Sequence, residues 1–282
     1  MVDDIYTVYN DDLYHIDELI MNTEQNSRFR LIDMYLHYWG QVRRQDLQNH
    51  LAIGSVTASR ALKLYTNSYP DNVTYSVQRR AYVWSDQFEA SHLPSAEIAL
   101  NIMAYGLSAQ PVSTQRYGPD HLSFSLKLSS NHVGIVTRAM VIGGGISIEY
   151  VSNSSGASVK ELYPHAIFES NGSWYFRAFD IQDGFRTFRF NRIKSTRDSI
   201  GLLNRSSSGN PKEDIEWNSE VVLTLGPHSQ HPKPQALKLD LGLLDKPVKN
   251  LKVNSITAPF ILTDLRVDCS KNAKLNPHEY PL

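Results

Sequence analysis

Residues 173–190 read SWYFRAFDIQDGFRTFRF. Aromatic rings alternate with Arg177, Arg186 and Arg189 on either side of a turn-like DIQDG. The pattern predicts two antiparallel strands. A four-residue turn at 181–184 would set Asp180 opposite Phe185. Alternation along the strands then puts Tyr175, Arg177, Phe179, Arg186, Phe188, Phe190 and Arg192 on one face. Trp174, Phe176, Ala178, Phe185, Thr187 and Arg189 take the other. Neither face is cleanly apolar, and arginine is rarely buried without an anionic partner. Three readings follow: a solvated strand face, internal pairing with Glu149, Glu161 or Glu169, or a pocket for an anion. Guanidinium planes stacked on rings suit a phosphate or a nucleotide base. In this register Arg177 and Arg186 share the candidate pocket and Arg189 sits across from them.

Outward from this hairpin, HVGIVTRAMVIGGG (132–145) carries Val133, Val136 and Met140 on one helical face, with glycines to end the helix. Short strands follow in ISIEYVS, SVKELY, HAIF, WYFRAFD and FRTFRFNRI, separated by Ser-Gly, Asn-Gly and Asp-Gly turn signals. Several short strands so closely spaced predict a small barrel over 131–200. Residues 201–214 are a Ser/Gly/Asn-rich linker. In the last unit, EVVLTLGP, ALKLDLGLL and APFILTDLRV read as strands. No internal repeat is evident.

Toward the N-terminus the text changes. Residues 1–26 are acidic, without Lys or Arg, and Leu13, Ile16, Leu19 and Ile20 fall at helical spacing, so a short amphipathic helix facing away from nucleic acid is expected. SRFRLIDMYLHYW predicts a helix stopped by Gly40, and QVRRQDLQNHLAI a second with Leu47 and Leu51 one turn apart. SVTASRALKLY predicts a third, with Ser55 as N-cap and Val56 preceding the apolar pair Ala61 and Leu64. VTYSVQRRAYVW then reads as two strands around a basic tip. Helix, turn, helix, third helix and hairpin is the winged helix-turn-helix order. Ser55, Thr57, Ser59, Arg60 and Lys63 form the polar side of the third helix, suited to bases and phosphates, with Arg60 the candidate for a bidentate guanine contact. Arg43 and Arg44 open the second helix, where amides also meet phosphate. Arg79 and Arg80 occupy the wing tip. LPSAEIALNIMAYG predicts a connecting helix ended by Gly106, followed by polar, Pro-containing sequence.

The expected fold class is α+β multidomain: a winged helix-turn-helix over 1–92, a helical linker over 93–130, the barrel over 131–200 and a small α/β domain over 201–282. At 282 residues two or three compact units are expected. The net charge of −1 means that nucleic-acid binding must come from local basic patches. The single cysteine, Cys269, has no intramolecular partner and no zinc spacing around it, which fits a reducing compartment. There is no secretory signal pattern and no run of about 18 apolar residues, so a cytoplasmic protein without a membrane partner is expected.

Other signals carry little chemistry. Gly143-Gly144-Gly145 lacks the Lys-Ser/Thr of a phosphate loop and reads as a helix end. His228 and His231 have no third nearby ligand. Cys269 has no activating base. Nothing calls for a cofactor, a metal or a catalytic role.

Trp174-Tyr175-Phe176 resembles the Trp-Tyr-Leu tripeptide that names the WYL domain, with Phe in the third place. IEYVS (148–152), Tyr163-Pro164-His165 before Ile167, the Asn171-Gly172 turn and FRTFRFNRI (185–193) match further family motifs in order. WYL domains are similar to Sm/SH3-like barrels and are thought to sense nucleic acid or nucleotides. The arrangement over nearly the whole chain resembles WYL-domain transcriptional regulators attached to phage-defence operons, the BREX-associated BrxR and CBASS-associated CapW type. The resemblance implies a homodimer on an inverted-repeat DNA operator, most simply as a repressor, with a C-terminal WCX-like dimerisation domain. It implies a nucleotide or nucleic-acid ligand held by Tyr150, Ser152, His165, Arg177, Arg186, Arg189 and Arg192. A competing reading is a nucleic-acid-binding accessory of a defence nuclease or helicase.

Overall fold

The computed structural model describes residues 24–91, 93–106, 127–197, 209–243 and 246–282. The expected helix over 13–20, the polar stretch after Gly106 and most of the 201–214 linker lie outside the described residues. The chain divides into two compact units, Met1–Phe168 with Trp174–Ser206 and Glu169–Ser173 with Ser207–Leu282.

The first unit opens with α1 (Glu24–Met34), which widens into a π-helical turn (Tyr35–Trp39). Gly40, at φ +72°, closes it by donating its N–H to the Leu36 carbonyl. Leu36, His37 and Tyr38 are consecutive and all buried. An amphipathic helix on a surface would expose one of the three, so this turn is covered on more than one side. β1 (Gln41–Val42) follows, then α2 (Arg44–Leu51), α3 (Ser55–Ser68), and the hairpin β2 (Val73–Ser76) and β3 (Ala81–Trp84). β1 joins the hairpin as a third strand in the order β1-β3-β2. α3 buries Ala58, Ala61, Leu62 and Tyr65. The expected Ser55 cap is not formed: Gly54 occupies the N-cap position without a side-chain bond.

A buried polar network holds α3 in place. The Tyr65 hydroxyl donates to the Asp33 carboxylate on α1 and accepts from the Asn72 amide at 3.0 Å. Asn72 also donates to the Glu89 carbonyl (2.8 Å), and Asp33 accepts the Ser91 N–H (3.0 Å). Burial and the Asp33 charge push the Tyr65 pKa far up, so the hydroxyl stays a donor.

α4 (Ala96–Tyr105) ends at Gly106, and α5 (Ser130–Ile142) at Gly143, both in the left-handed region. α5 lies against the π-helical turn. The His37 Nε2 lies 3.0 Å from the Ser130 carbonyl, so the neutral ring carries its proton there. The Arg138 guanidinium donates to the His37 carbonyl and lies over the Trp84 ring. Gly134 faces this contact. A Cβ built there would stand 2.6 Å from His37 Nε2.

Five antiparallel strands complete the unit: β4 (Ile146–Ser152), β5 (Gly156–Ser170), β6 (Ser173–Asp180), β7 (Gly184–Arg189) and β8 (Ile193–Arg197). Their order is β7-β6-β5-β4-β8. β7 and β8 are opposite edges, yet only Phe190–Arg192 separates them. In a flat sheet these edges would be about 19 Å apart, beyond the reach of so short a connection. The sheet is therefore rolled, and the Arg189 N–H on β7 reaches the Tyr150 hydroxyl on β4 at 3.0 Å. Its inner face carries Ile148, Trp174, Phe176, Ala178, Phe188 and Phe190 into the core shared with the helices. Burying one such ring fully contributes about 1.5–3 kcal/mol.

Two expectations for this sheet are corrected. SVKELY and HAIF form one strand, which runs on through Pro164 beyond the end of the β4–β5 ladder at Leu162. The β6–β7 turn has three residues rather than four. Gly184, at φ +75°, closes the turn and itself pairs with Asp180.

In the second unit β9 (Glu220–Leu225) pairs antiparallel with β10 (Lys249–Asn254), a strand that the sequence pattern left unassigned. ALKLDLGLL and APFILTDLRV, expected as strands, are instead overlapped by α6 (Pro234–Asp240) and α7 (Ala258–Asp264). Each has proline in its first turn, where the missing N–H is harmless. His228 accepts the Gln230 N–H on Nδ1 (3.2 Å) and turns Nε2 toward the Asp268 carboxylate (3.2 Å). No helix of the described residues is long and apolar enough to cross a membrane. Among the described residues no group of three or more His, Cys, Asp or Glu side chains is placed to hold a metal ion.

Candidate nucleic-acid interface

The exposed side of the winged helix is built from three elements. α3 turns its buried stripe inward, which leaves Ser55, Ser59, Arg60 and Lys63 exposed and Thr57 partly so. Arg43 and Arg44 are exposed where α2 begins, and the Arg43 backbone N–H is held by the Asp46 carboxylate at 2.7 Å. Arg79 and Arg80 are exposed at the wing tip, Arg80 with φ +50°. Beneath the wing, Tyr75 and Tyr82 face each other across β2 and β3 with ring centroids 5.2 Å apart.

A cleft of about 430 Å³ brings these elements together, lined by Arg43, Arg44, Gln45, Ser59, Arg80 and Tyr82 among others. A second hollow of about 290 Å³ lies on the other flank of α3, with Arg28 and Phe29 of α1 beside Val56, Thr57, Arg60 and Leu64. None of Arg43, Arg44, Arg60, Lys63, Arg79 and Arg80 forms an ion pair with a carboxylate of the described residues. All six are exposed in a chain whose net charge is only −1, and the Arg43 charge also acts on the adjacent Asp46 carboxylate. Sequence reasoning missed Gln45, Tyr75 and Tyr82, and also Arg28, whose Arg-x-Arg spacing in the first helix was the available signal. Of the apolar pair expected on the third helix, Ala61 is buried and Leu64 is 38% exposed, and Val56, which precedes the pair, is 81% exposed.

The arginine–aromatic sheet is sorted by its true register. Tyr175 pairs with Arg189, Arg177 with Thr187 and Phe179 with Phe185. Directly opposed residues share a face. Arg177 and Arg189 therefore share the outer face, and Arg186, paired with Ala178, belongs to the other. This reverses the expected grouping of Arg177 with Arg186. Arg177 is 3% exposed although it points away from the apolar core, and it donates to the Thr187 hydroxyl at 3.3 Å. Around it the outer face carries rings: Tyr175 stacks on Phe168 (5.3 Å), Arg189 lies over Tyr175 (5.9 Å), and Phe185 meets both Phe179 (5.1 Å) and His165 (5.8 Å).

The other candidates disperse. Tyr150 is buried against Phe188 on the inner face. Ser152 bonds Ser154 (3.0 Å) near the β4–β5 turn. Arg186 is exposed and donates to the Phe185 carbonyl (2.9 Å). Arg192 is half-buried in the corner before β8. Of the carboxylates weighed as internal partners, Glu149 pairs with Lys194 (2.7 Å) and Glu169 accepts the Gly172 N–H (2.6 Å).

A winged helix followed by a rolled antiparallel sheet with one ring-and-guanidinium face defines a two-module α+β protein. Residues 24–103 match the family model of the BrxR transcriptional regulator winged helix-turn-helix domain, and residues 131–198 match that of the WYL domain. The chain is thus a BrxR/CapW-like WYL protein. The DNA-binding transcriptional repressor CapW of Stenotrophomonas maltophilia is 27% identical over 232 residues, spanning 78% of this chain and 76% of that protein. The same-named protein of Pseudomonas aeruginosa is 26% identical over 213 residues, spanning 72% and 70%. Among solved structures, proteasome accessory factor B/C (PafBC) of Arthrobacter aurescens aligns with TM-score 0.25 and 15% identity, over 71% of this chain and 37% of that one.

Proposed function

We propose that this chain is a DNA-binding transcriptional repressor of a phage-defence operon, and not an enzyme. The observation that carries the reading is the set of exposed basic side chains on α2, α3 and the wing. Its arginines and lysine have no ion-pair partner among the described residues. In this reading α3 enters the major groove, with Arg60 on base edges, Ser55, Thr57 and Ser59 beside it, and Lys63, Arg43 and Arg44 on phosphates. Arg79 and Arg80 reach the flanking backbone or minor groove. The chain acts as a homodimer on an inverted repeat, joined through the C-terminal α/β domain over 201–282.

The five-stranded sheet is an Sm/SH3-like barrel whose outer face senses a nucleotide or nucleic acid. Arg177, Arg189 and His165 are its foremost contacts, and Tyr150, Ser152, Arg186 and Arg192 lie farther from that face. A ligand there shifts DNA binding only by preferring one of two states of the dimer.

Footprinting on the DNA upstream of the chain's own operon tests the reading, together with a promoter reporter. A protected palindrome and derepression on deletion are expected. Length-dependent, sequence-independent binding would replace the repressor by an accessory nucleic-acid-binding role.

A further inference from the structure

Val56 is an anomaly in α3. It is 81% exposed in the first turn of the helix. Among the described residues nothing covers its apolar surface, and a β-branched residue supports a helix less well than alanine. At 100° per residue, Val56 falls on one stripe with Arg60, Lys63 and Asn67, centred opposite the buried Ala58, Ala61, Leu62 and Tyr65. All four members of that stripe are exposed.

We infer that Val56 reads a thymine 5-methyl group in the major groove, as a specificity-determining residue of the DNA interface. This rests on the assignment of α3 as the reading helix. The major groove offers an apolar helix side chain one apolar group, the thymine methyl, while the polar members of the stripe address donors, acceptors and phosphates. Arg60 lies four residues from Val56, about 6 Å along the helix axis, and base pairs rise about 3.4 Å. The preferred site therefore holds a guanine and a thymine within one or two base pairs of each other.

The test uses the full chain. Sites are first selected from randomised duplex DNA. The preferred duplex is then made with each thymine singly replaced by deoxyuridine, which removes only the methyl. Affinities are measured by fluorescence anisotropy at one salt concentration. The wild-type chain should lose about four-fold at one replacement, corresponding to the roughly 0.8 kcal/mol of burying one methyl-sized group. Val56→Ala should bind the thymine duplex as weakly as the wild type binds the deoxyuridine duplex, and should not distinguish the two. Arg60→Ala should bind less well but keep the distinction. A wild-type chain indifferent to every replacement, or a Val56→Ala chain that keeps the full ratio, overturns the inference while leaving the repressor reading intact. If selection enriches no sequence, the reading helix itself is misassigned and Val56 falls with it.

Discussion

The Arg138 guanidinium lies 4.3 Å from the centre of the Trp84 ring and donates to the His37 carbonyl. Arg138 belongs to the helix that opens the WYL match, while Trp84 and His37 belong to the winged helix. Arg138 is 6% exposed and pairs with no carboxylate of the described residues. Burial pulls its pKa down to about 10, still far above neutrality, so a full positive charge is held there by a ring face and a backbone dipole. This seat joins the two modules through a ring contact and a hydrogen bond.

Gly134→Ala probes the seat by its sign. Alanine in place of glycine inside a helix ordinarily helps, by about 0.5–1 kcal/mol. Here the new Cβ would meet His37 Nε2 at 2.6 Å and Arg138 Nη1 at 2.9 Å. The expected result is a loss of about 1–3 kcal/mol in chemical denaturation. A gain would show that the two modules part easily.

His37 makes stability pH-dependent. Burial lowers its pKa to about 4, the Arg138 charge adds to the fall, and the Ser130 carbonyl opposes it. In the unfolded chain histidine titrates near 6.5. Between these values the unfolded state binds more protons, so stability declines as pH is lowered from about 6.5 to about 4. The full depression corresponds to roughly 3 kcal/mol. The urea midpoint of His37→Gln should change less across that window than that of the wild type.

Tyr65→Phe should leave every exposed side chain of α3 in place while removing the hydroxyl that serves Asp33 and Asn72. Leaving a buried carboxylate and amide short of a partner costs about 1–3 kcal/mol. The thermal midpoint should fall, and affinity for DNA measured well below that midpoint should hold.

Arg60→Ala should cost about 1–3 kcal/mol in binding to the preferred site and relax specificity at one position. Lys63→Ala should weaken binding to all sequences alike and reduce the salt dependence by about one phosphate contact. Titrations at several salt concentrations separate the two outcomes.

On the sheet, Arg177→Ala and Arg189→Ala should each reduce the thermal shift given by the nucleotides or short oligonucleotides that stabilise the wild type. Arg186→Ala should leave that shift nearly unchanged. Equal loss in all three would mean that the ligand reaches both faces of the β6–β7 hairpin.

What the sequence made legible follows from how local each signal is. The winged helix was readable because its first helix stops at the left-handed Gly40 and Gly54 separates the second helix from the third. The Asn171-Gly172 turn was readable because both residues adopt positive φ, which that pair favours. The side of the sheet on which each arginine sits was not, because a one-residue change in the turn at Gly184 exchanges the faces. The helices at 234–240 and 258–264 were misread because short apolar runs fit both periods. The exposure of Leu64 was not legible because apolar spacing alone cannot distinguish a residue facing its own core from one facing solvent.

The corner Phe190–Arg192 has a consequence for life in a crowded cell. An open sheet ends in two rims of unsatisfied backbone groups, and such rims recruit strands from other copies. Here the last strand starts where the fourth one stops, on the far side of the sheet, so both rims are drawn to one corner. A deletion within that corner should first appear as fibrous self-association, before any failure to repress.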